Sequence, residues 1–160
     1  MARTKYPISK EFFPFSRFVP PMSRSFVLMA QKFMNTPKLL FLDPQLDVQS
    51  RKIPGYQGWE IEVFIISPKD LSTPAPCLVN FHGGGFVFEG YNSHYQIAMT
   101  YARECRCKVI YVRYRLAPRY SFPVPQEDCY AALSWIYYHA EELALTGNEL
   151  ASAVIVQAVR

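Results

Sequence analysis

The stretch that most constrains this chain is the apolar run Cys77-Leu78-Val79-Asn80-Phe81, followed at once by His82-Gly83-Gly84-Gly85-Phe86. A short β-prone run bounded by Pro76 on one side and glycines on the other predicts a buried strand ending in a tight loop. Three successive glycines open dihedrals closed to other residues and bring backbone N–H groups against a ligand with no intervening Cβ. An oxyanion hole needs such donors: in acyl transfer, negative charge develops on one carbonyl oxygen, and each preorganised donor aimed at it is worth about 3–4 kcal/mol. The plain alternative is a glycine-rich turn without chemistry. The histidine in front, the aromatic behind and the hydrophobic strand before the loop favour the oxyanion reading.

The elements around this loop predict an α/β fold. Asp47–Ile53 and Trp59–Ile66 read as two strands joined through Pro54-Gly55-Tyr56-Gln57-Gly58, an antiparallel hairpin at a sheet edge. After the loop, Asn92-Ser93 is placed to cap a helix with Tyr95, Ala98, Tyr101, Ala102 and Cys105 at helical spacing. Lys108–Val112 is a second buried strand. Pro118, Pro123 and Pro125 then enforce an extended excursion before Gln126-Glu127-Asp128 opens a helix with Cys129, Ala132, Leu133, Ile136, Ala140 and Leu143 on one face. Thr146-Gly147-Asn148 stops that helix, and Ala151 onward, through Val154-Ile155-Val156, would be a further strand. Strand, helix, strand, helix, strand is the order of a parallel sheet with crossover helices, here preceded by the antiparallel hairpin.

Residues 1–46 form a separate aromatic, proline-punctuated, basic segment, and residues 47–160 the core. Within the first segment Ser25 is placed to cap a helix from Phe26 to Met34, whose apolar stripe is too broad to stay exposed. It covers the domain, a substrate pocket or a membrane surface; the charge density of a membrane-surface helix is missing, which favours packing on the domain.

Composition excludes several classes. With 160 residues, 50% of them hydrophobic, the chain is globular and not disordered. The net charge of +4 is spread without a long basic run, so no nucleic-acid partner is expected. Cys77, Cys105, Cys107 and Cys129 form no CxxC pair or metal-ligand cluster and read as buried free thiols in a reducing cytosol. No run reaches membrane-spanning length, and Met1–Pro7 leads into no secretory apolar segment, so a cytoplasmic location is expected.

A second block, Tyr114-Arg115-Leu116-Ala117-Pro118, then Phe122-Pro123, then Glu127-Asp128, stands in order and distance with the glycine loop. Together the blocks resemble the hormone-sensitive-lipase-like branch of the α/β-hydrolases, which includes bacterial carboxylesterases. The match runs from about Trp59 to Ala151 and implies the N-terminal part of that fold. By this resemblance the N–H groups of Gly83 and Gly84 form the oxyanion hole, while His82, Gly85 and Phe86 support the loop and His82 is not a base. Glu127 and Asp128 look like structural carboxylates at a helix N-terminus, and residues 1–46 look like the family's cap. The family's reaction attacks an ester carbonyl with serine, uses histidine and an acid, and needs no metal or organic cofactor. Arg119 stands where the family usually has an acid, a tolerated loop change.

The larger departure is at the end. The family's Gly-Asp-Ser-Ala-Gly nucleophile elbow is due after Asn148-Glu149-Leu150-Ala151, but the sequence reads Ser152-Ala153-Val154-Ile155-Val156-Gln157-Ala158-Val159-Arg160. Back-translated as TCG-GCG-GTG-ATA-GTG-CAG-GCG-GTA-CGN and regrouped two bases later, the tail spells Gly-Gly-Asp-Ser-Ala-Gly-Gly-Thr. A single-base deletion near the Ala151 codon is therefore expected to have shifted the frame and ended the protein before its Ser-Asp-His triad, leaving no catalytic residue in this chain and no activity alone.

Other candidates carry less. His94 and His139 lie on predicted helices, where a lone histidine is ordinarily a surface or satisfied core residue. Ser93 is better explained as an N-cap than as a nucleophile, and Ser152 lacks the glycines that a nucleophile elbow needs. Three readings remain: a truncated esterase-family chain, a non-enzymatic fragment that binds a partner or a full-length hydrolase through its open sheet edge, which also promotes self-association, and an enzyme with an unusual triad.

Overall fold

A computed structural model describes residues 23–33 and 43–151. Helix α1 (Arg24–Phe33) begins at Ser23, whose hydroxyl accepts from the Phe26 N–H at 3.3 Å and whose carbonyl accepts from Val27. Ser23, and not Ser25, is thus the cap: its oxygen reaches the third helical N–H, where a first-turn donor has no partner inside the helix. Met34 of the expected helix and residues 1–22 lie outside the described residues.

Strands β1 (Leu46–Pro54) and β2 (Glu60–Pro68) form the expected hairpin, pairing antiparallel from Leu46 against Pro68 to Pro54 against Glu60. They close through a 3-10 turn at Tyr56–Gly58. Strand β3 (Ala75–Phe81) leads into the glycine loop, helix α2 (Asn92–Glu104) follows, and strand β4 (Lys108–Arg113) lies parallel to β3 and antiparallel to β2. Helix α3 (Val124–Tyr138) then crosses to β5 (Leu145–Ala151), parallel to β3 on its other side. The sheet order is β1-β2-β4-β3-β5, with two antiparallel and two parallel ladders.

Alternation along the strands builds two cores. Ile61 and Val63 of β2, Cys77, Val79 and Phe81 of β3, and Ile110 and Val112 of β4 pack with Ala132, Trp135 and Ile136 of α3. Phe64 and Ile66, with Val109 and Tyr111, pack against Tyr95, Ala98 and Ala102 of α2. Both faces are therefore covered, which is why these strands read as near-continuous apolar runs. Each fully buried Val or Ile contributes about 1.5–3 kcal/mol. Because β3 sits between β4 and β5, with α2 on one face and α3 on the other, the chain leaves β3 where the two crossovers diverge. Open α/β sheets bind ligands outside the carboxyl ends of their strands at such a point.

Three boundaries differ from the sequence reading. The N-cap of α2 is Tyr91, whose N–H donates to the His94 side chain at 2.9 Å; Ser93 is an exposed residue inside the first turn and caps nothing. Helix α3 starts at Val124, since Pro125 in its first turn lacks only an N–H that would have had no partner there. Thr146-Gly147-Asn148 belongs to β5 instead of ending a helix, and Ala140 and Leu143 follow α3. Backbone pairing to β3 decides that strand, from Ala75 against Leu145 to Leu78 against Ala151. Val154–Val156 lie outside the described residues.

Candidate active site

The loop leaving β3 turns on glycine. Gly84 has φ +119° and Gly85 φ +62°, and a Cβ on Gly84 would stand 2.5 Å from the Phe88 carbonyl oxygen. That carbonyl approach, with the positive φ, excludes other residues at Gly84. Phe86 continues the left-handed path at φ 61°. The Gly84 carbonyl accepts from both the Val87 and Phe88 N–H groups at 3.1 Å, which closes the turn. The N–H groups of Gly83, Gly84, Gly85 and Phe86 donate to no acceptor among the described residues. Gly83 is buried, and a buried donor left without a partner ordinarily costs about 1–3 kcal/mol.

His82 fixes the start of the loop. Its side chain is fully enclosed, its Nδ1 lies 2.8 Å from the Gly83 carbonyl oxygen, and its ring stacks on Tyr114 at 4.3 Å between centroids. The carbonyl partner assigns the proton to Nδ1. The Tyr114 hydroxyl donates to the His82 carbonyl at 2.5 Å. Burial, ahead of all other causes, pushes the imidazole below its ordinary 6.5, so the ring is neutral at neutral pH although Glu89 Oε1 lies 3.8 Å from Nε2. The Gly83 carbonyl and the Tyr114 face fix the orientation of the ring.

The second sequence block meets the loop from the side. The Ala117 N–H donates to the Phe86 carbonyl at 2.8 Å. Arg115, two residues before, is bound to Asp128, whose residue is 0% exposed: Oδ2 accepts from the Arg115 N–H at 3.1 Å and Nε at 2.8 Å, and Oδ1 accepts from Nη2 at 2.7 Å and from the Tyr56 N–H at 2.9 Å. Arg115 Nη2 also reaches the Tyr56 carbonyl at 3.0 Å. Asp128 therefore acts through the β1–β2 turn and the Tyr114–Pro118 loop, not through the helix terminus expected for it. Glu127 does lie in the first turn of α3. Gly55 is required here by space, since a Cβ would meet Asp128 Oδ1 at 2.7 Å. Arg119 is exposed and takes no part in this network.

The far end of the loop is held by charge and by a close approach. Arg113 donates to Glu89 through Nε at 3.1 Å and Nη2 at 3.2 Å, and through Nη1 to Glu62 at 2.5 Å. Gly90 packs so closely that a Cβ there would lie 1.8 Å from the Tyr111 hydroxyl. On the cap side, the Gln31 carboxamide of α1 donates to the Val87 carbonyl at 2.6 Å and the Ala117 carbonyl at 2.7 Å. Neither the Asp128 network nor Gln31 was apparent from the sequence. The available signal for Gln31 was a single amide inside the apolar stripe Phe26–Phe33.

The remaining candidates stand apart from one another. His94 caps its own helix, and His139 Nδ1 lies 2.8 Å from the Trp135 carbonyl with its ring stacked on Trp135 at 4.3 Å. Ser152 lies outside the described residues. All four cysteines are free; Cys77 and Cys107 are buried as expected, but Cys129 is half-buried and Cys105 exposed. Burial pushes the Cys77 and Cys129 thiols up to about 12, so neither is a ready nucleophile. No helix among the described residues is long and apolar enough to cross a membrane.

A mixed sheet with its parallel strands flanked by helices on both faces, and a glycine loop where the crossovers diverge, defines the α/β-hydrolase class. The family profile for the alpha/beta hydrolase fold matches residues 78–153. A carboxylesterase of Mycobacterium tuberculosis is 34% identical over 118 residues, 73% of this chain and 36% of that protein. The hormone-sensitive lipase of Ictidomys tridecemlineatus is 35% identical over 86 residues, 54% of this chain and 11% of that lipase. Among solved structures, the esterase LipW of Mycobacterium marinum superposes with a TM-score of 0.72 at 27% identity, over 82% of this chain and 43% of that one. The chain thus belongs to the hormone-sensitive-lipase-like carboxylesterase branch of the α/β-hydrolases, and it spans 36% of the length of the tuberculosis relative.

Proposed function

We propose that this chain carries the oxyanion-holding portion of a serine carboxylesterase acting on small acyl esters. The N–H groups of Gly83 and Gly84 receive the oxygen of the tetrahedral intermediate, His82, Gly85 and Phe86 support the loop, and the segment containing α1 serves as a cap. The observation that carries this reading is the run of backbone donors, buried Gly83 among them, that point to no acceptor among the described residues, at the carboxyl end of β3. Such donors cost no reorganisation when negative charge develops, and losing one lowers turnover by about a hundred- to a thousandfold. The nucleophile, acid and base are not assigned to His82, His94 or His139, which are engaged by their own surroundings, nor to Ser93, an exposed residue in the first turn of α2. Residues 152–160 are compatible with codons that regroup, in the alternative frame, into the elbow that would supply the serine.

The coding DNA across codons 151–160 tests this. The expected bases regroup into Gly-Gly-Asp-Ser-Ala-Gly-Gly-Thr, and the frame-restored polypeptide hydrolyses p-nitrophenyl acetate while the 160-residue chain does not. Codons that cannot regroup, or turnover by the 160-residue chain, would overturn the reading.

A further inference from the structure

The oxyanion reading leaves unexplained the contact between α1 and the loop. Gln31 is half-buried, and its terminal nitrogen lies 2.6 Å from the Val87 carbonyl oxygen and 2.7 Å from the Ala117 carbonyl oxygen. Two acceptors at that distance assign the atom as nitrogen, because an amide oxygen there would be repelled by both. The two N–H bonds of one carboxamide are thereby both used, one on each of two separate loops. Val87 belongs to the turn closed on the Gly84 carbonyl, and Ala117 is itself tied to the glycine loop through the Phe86 carbonyl. One side chain therefore joins three segments, α1, the glycine loop and the Tyr114–Pro118 loop.

We propose that Gln31 is a positioning residue that couples the seating of α1 to the shape of the glycine loop, so that the Gly83 and Gly84 donors are held in register while the helix lies over them. The proposal rests on the oxyanion reading for its purpose, but not for its geometry. Apolar burial also holds the helix, with Val27 of α1 3% exposed. Apolar burial is non-directional and cannot set the register of a backbone carbonyl; a bidentate donor can.

Hydrogen exchange on the chain as it stands tests the coupling without any catalysis. The Val87, Phe88 and Ala117 amides are hydrogen-bonded within the two loops and report on their closure. Gln31→Met keeps the volume and removes the donors; it is expected to speed exchange of these three amides roughly tenfold, with the Val109–Val112 amides of β4 unchanged. Gln31→Glu, which turns a carboxylate on two carbonyl oxygens, is expected to speed it further. Gln31→Ala gives the same loop readout if the methionine variant does not fold. Wild-type exchange in the methionine variant would mean that Gln31 only fills space, and equal acceleration in β4 would mean that it only contributes overall stability; either result overturns the coupling. Failure here leaves the oxyanion reading standing, and a coding sequence that fails to regroup leaves the latch standing.

Discussion

Two buried polar clusters flank the glycine loop, and they are built on opposite rules. On the α3 side, Asp128 is fully buried and both its oxygens are occupied by Arg115 and Tyr56. On the α2 side, the hydroxyls of Tyr95 and Tyr111 and the Nε2 of His82 are buried, and among the described residues none has a partner in good hydrogen-bond geometry, the two hydroxyls having each other as polar neighbours. The Tyr95 and Tyr111 rings stack at 4.4 Å, and burial pushes both phenols well above their ordinary range. The first cluster holds by satisfied charge, so removing one member strands the others. The second holds by ring packing, so its polar atoms are dispensable while its volume is not.

The sharpest test of that contrast is Asp128→Ala. It leaves the Arg115 guanidinium, whose side chain is 13% exposed, without its counter-charge and the Tyr56 N–H without an acceptor. The expected loss is about 3–5 kcal/mol in urea unfolding. Asp70 pairs with Arg106 at 2.8 and 2.9 Å but at the surface, and Asp70→Ala is expected to leave the urea midpoint unchanged. Equal effects would erase the distinction between a buried clamp and a solvated pair.

On the other side the order of effects inverts. Tyr111→Phe removes a hydroxyl whose neighbouring polar group is the Tyr95 hydroxyl, and is expected to change stability by less than about 1 kcal/mol in either direction. Gly90→Ala drives a Cβ to 1.8 Å from that same hydroxyl and is expected to cost about 1–3 kcal/mol. Combined, the two should cost clearly less than Gly90→Ala alone, because the oxygen is gone, although the ring carbon at 3.1 Å still crowds the new methyl. Strict additivity in thermal unfolding would show that the contact is not what limits the site.

The same division explains how much of the molecule was legible in the sequence. Strands β2, β3 and β4 and the antiparallel hairpin were readable because burial on two faces writes itself as apolar runs, and the glycine loop was readable because φ +119° at Gly84 has few other spellings. Strand β5 escapes the sequence at Thr146-Gly147-Asn148, because these turn-favouring residues lie in an irregularity of the ladder between the Ala75–Leu145 and Cys77–Leu150 pairs, and the pairing on either side carries the strand through them. The Asp128 clamp escaped because its partners Arg115 and Tyr56 lie in other elements and a carboxylate near a helix start has an adequate local explanation. Gln31 escaped for a stronger reason: both its acceptors are backbone carbonyls, which carry no residue signature at all.

The smallest expected effect is also the one that bears on the loop's histidine. His82 sits between the clusters, stacked on Tyr114 on one side and on Tyr111, 5.8 Å away, on the other. Its folded value lies below 6.5 because burial disfavours the charged ring, an effect only partly offset by the Gly83 carbonyl and by Glu89. The unfolded chain therefore binds a proton on this residue at a pH where the folded chain does not, so unfolding takes up a proton and stability falls as pH drops below about 6.5. The slope from one such group is at most about 1.4 kcal/mol per pH unit. His82→Gln is expected to lower stability at every pH but to flatten the difference between pH 7.5 and 5.5, as read from urea midpoints. If the variant kept the wild-type slope, the ring would be accessible to water when folded; if stability fell more steeply with falling pH in the variant than in the wild type, Glu89 and not burial would govern the histidine, and the α2-side cluster would be held by charge after all.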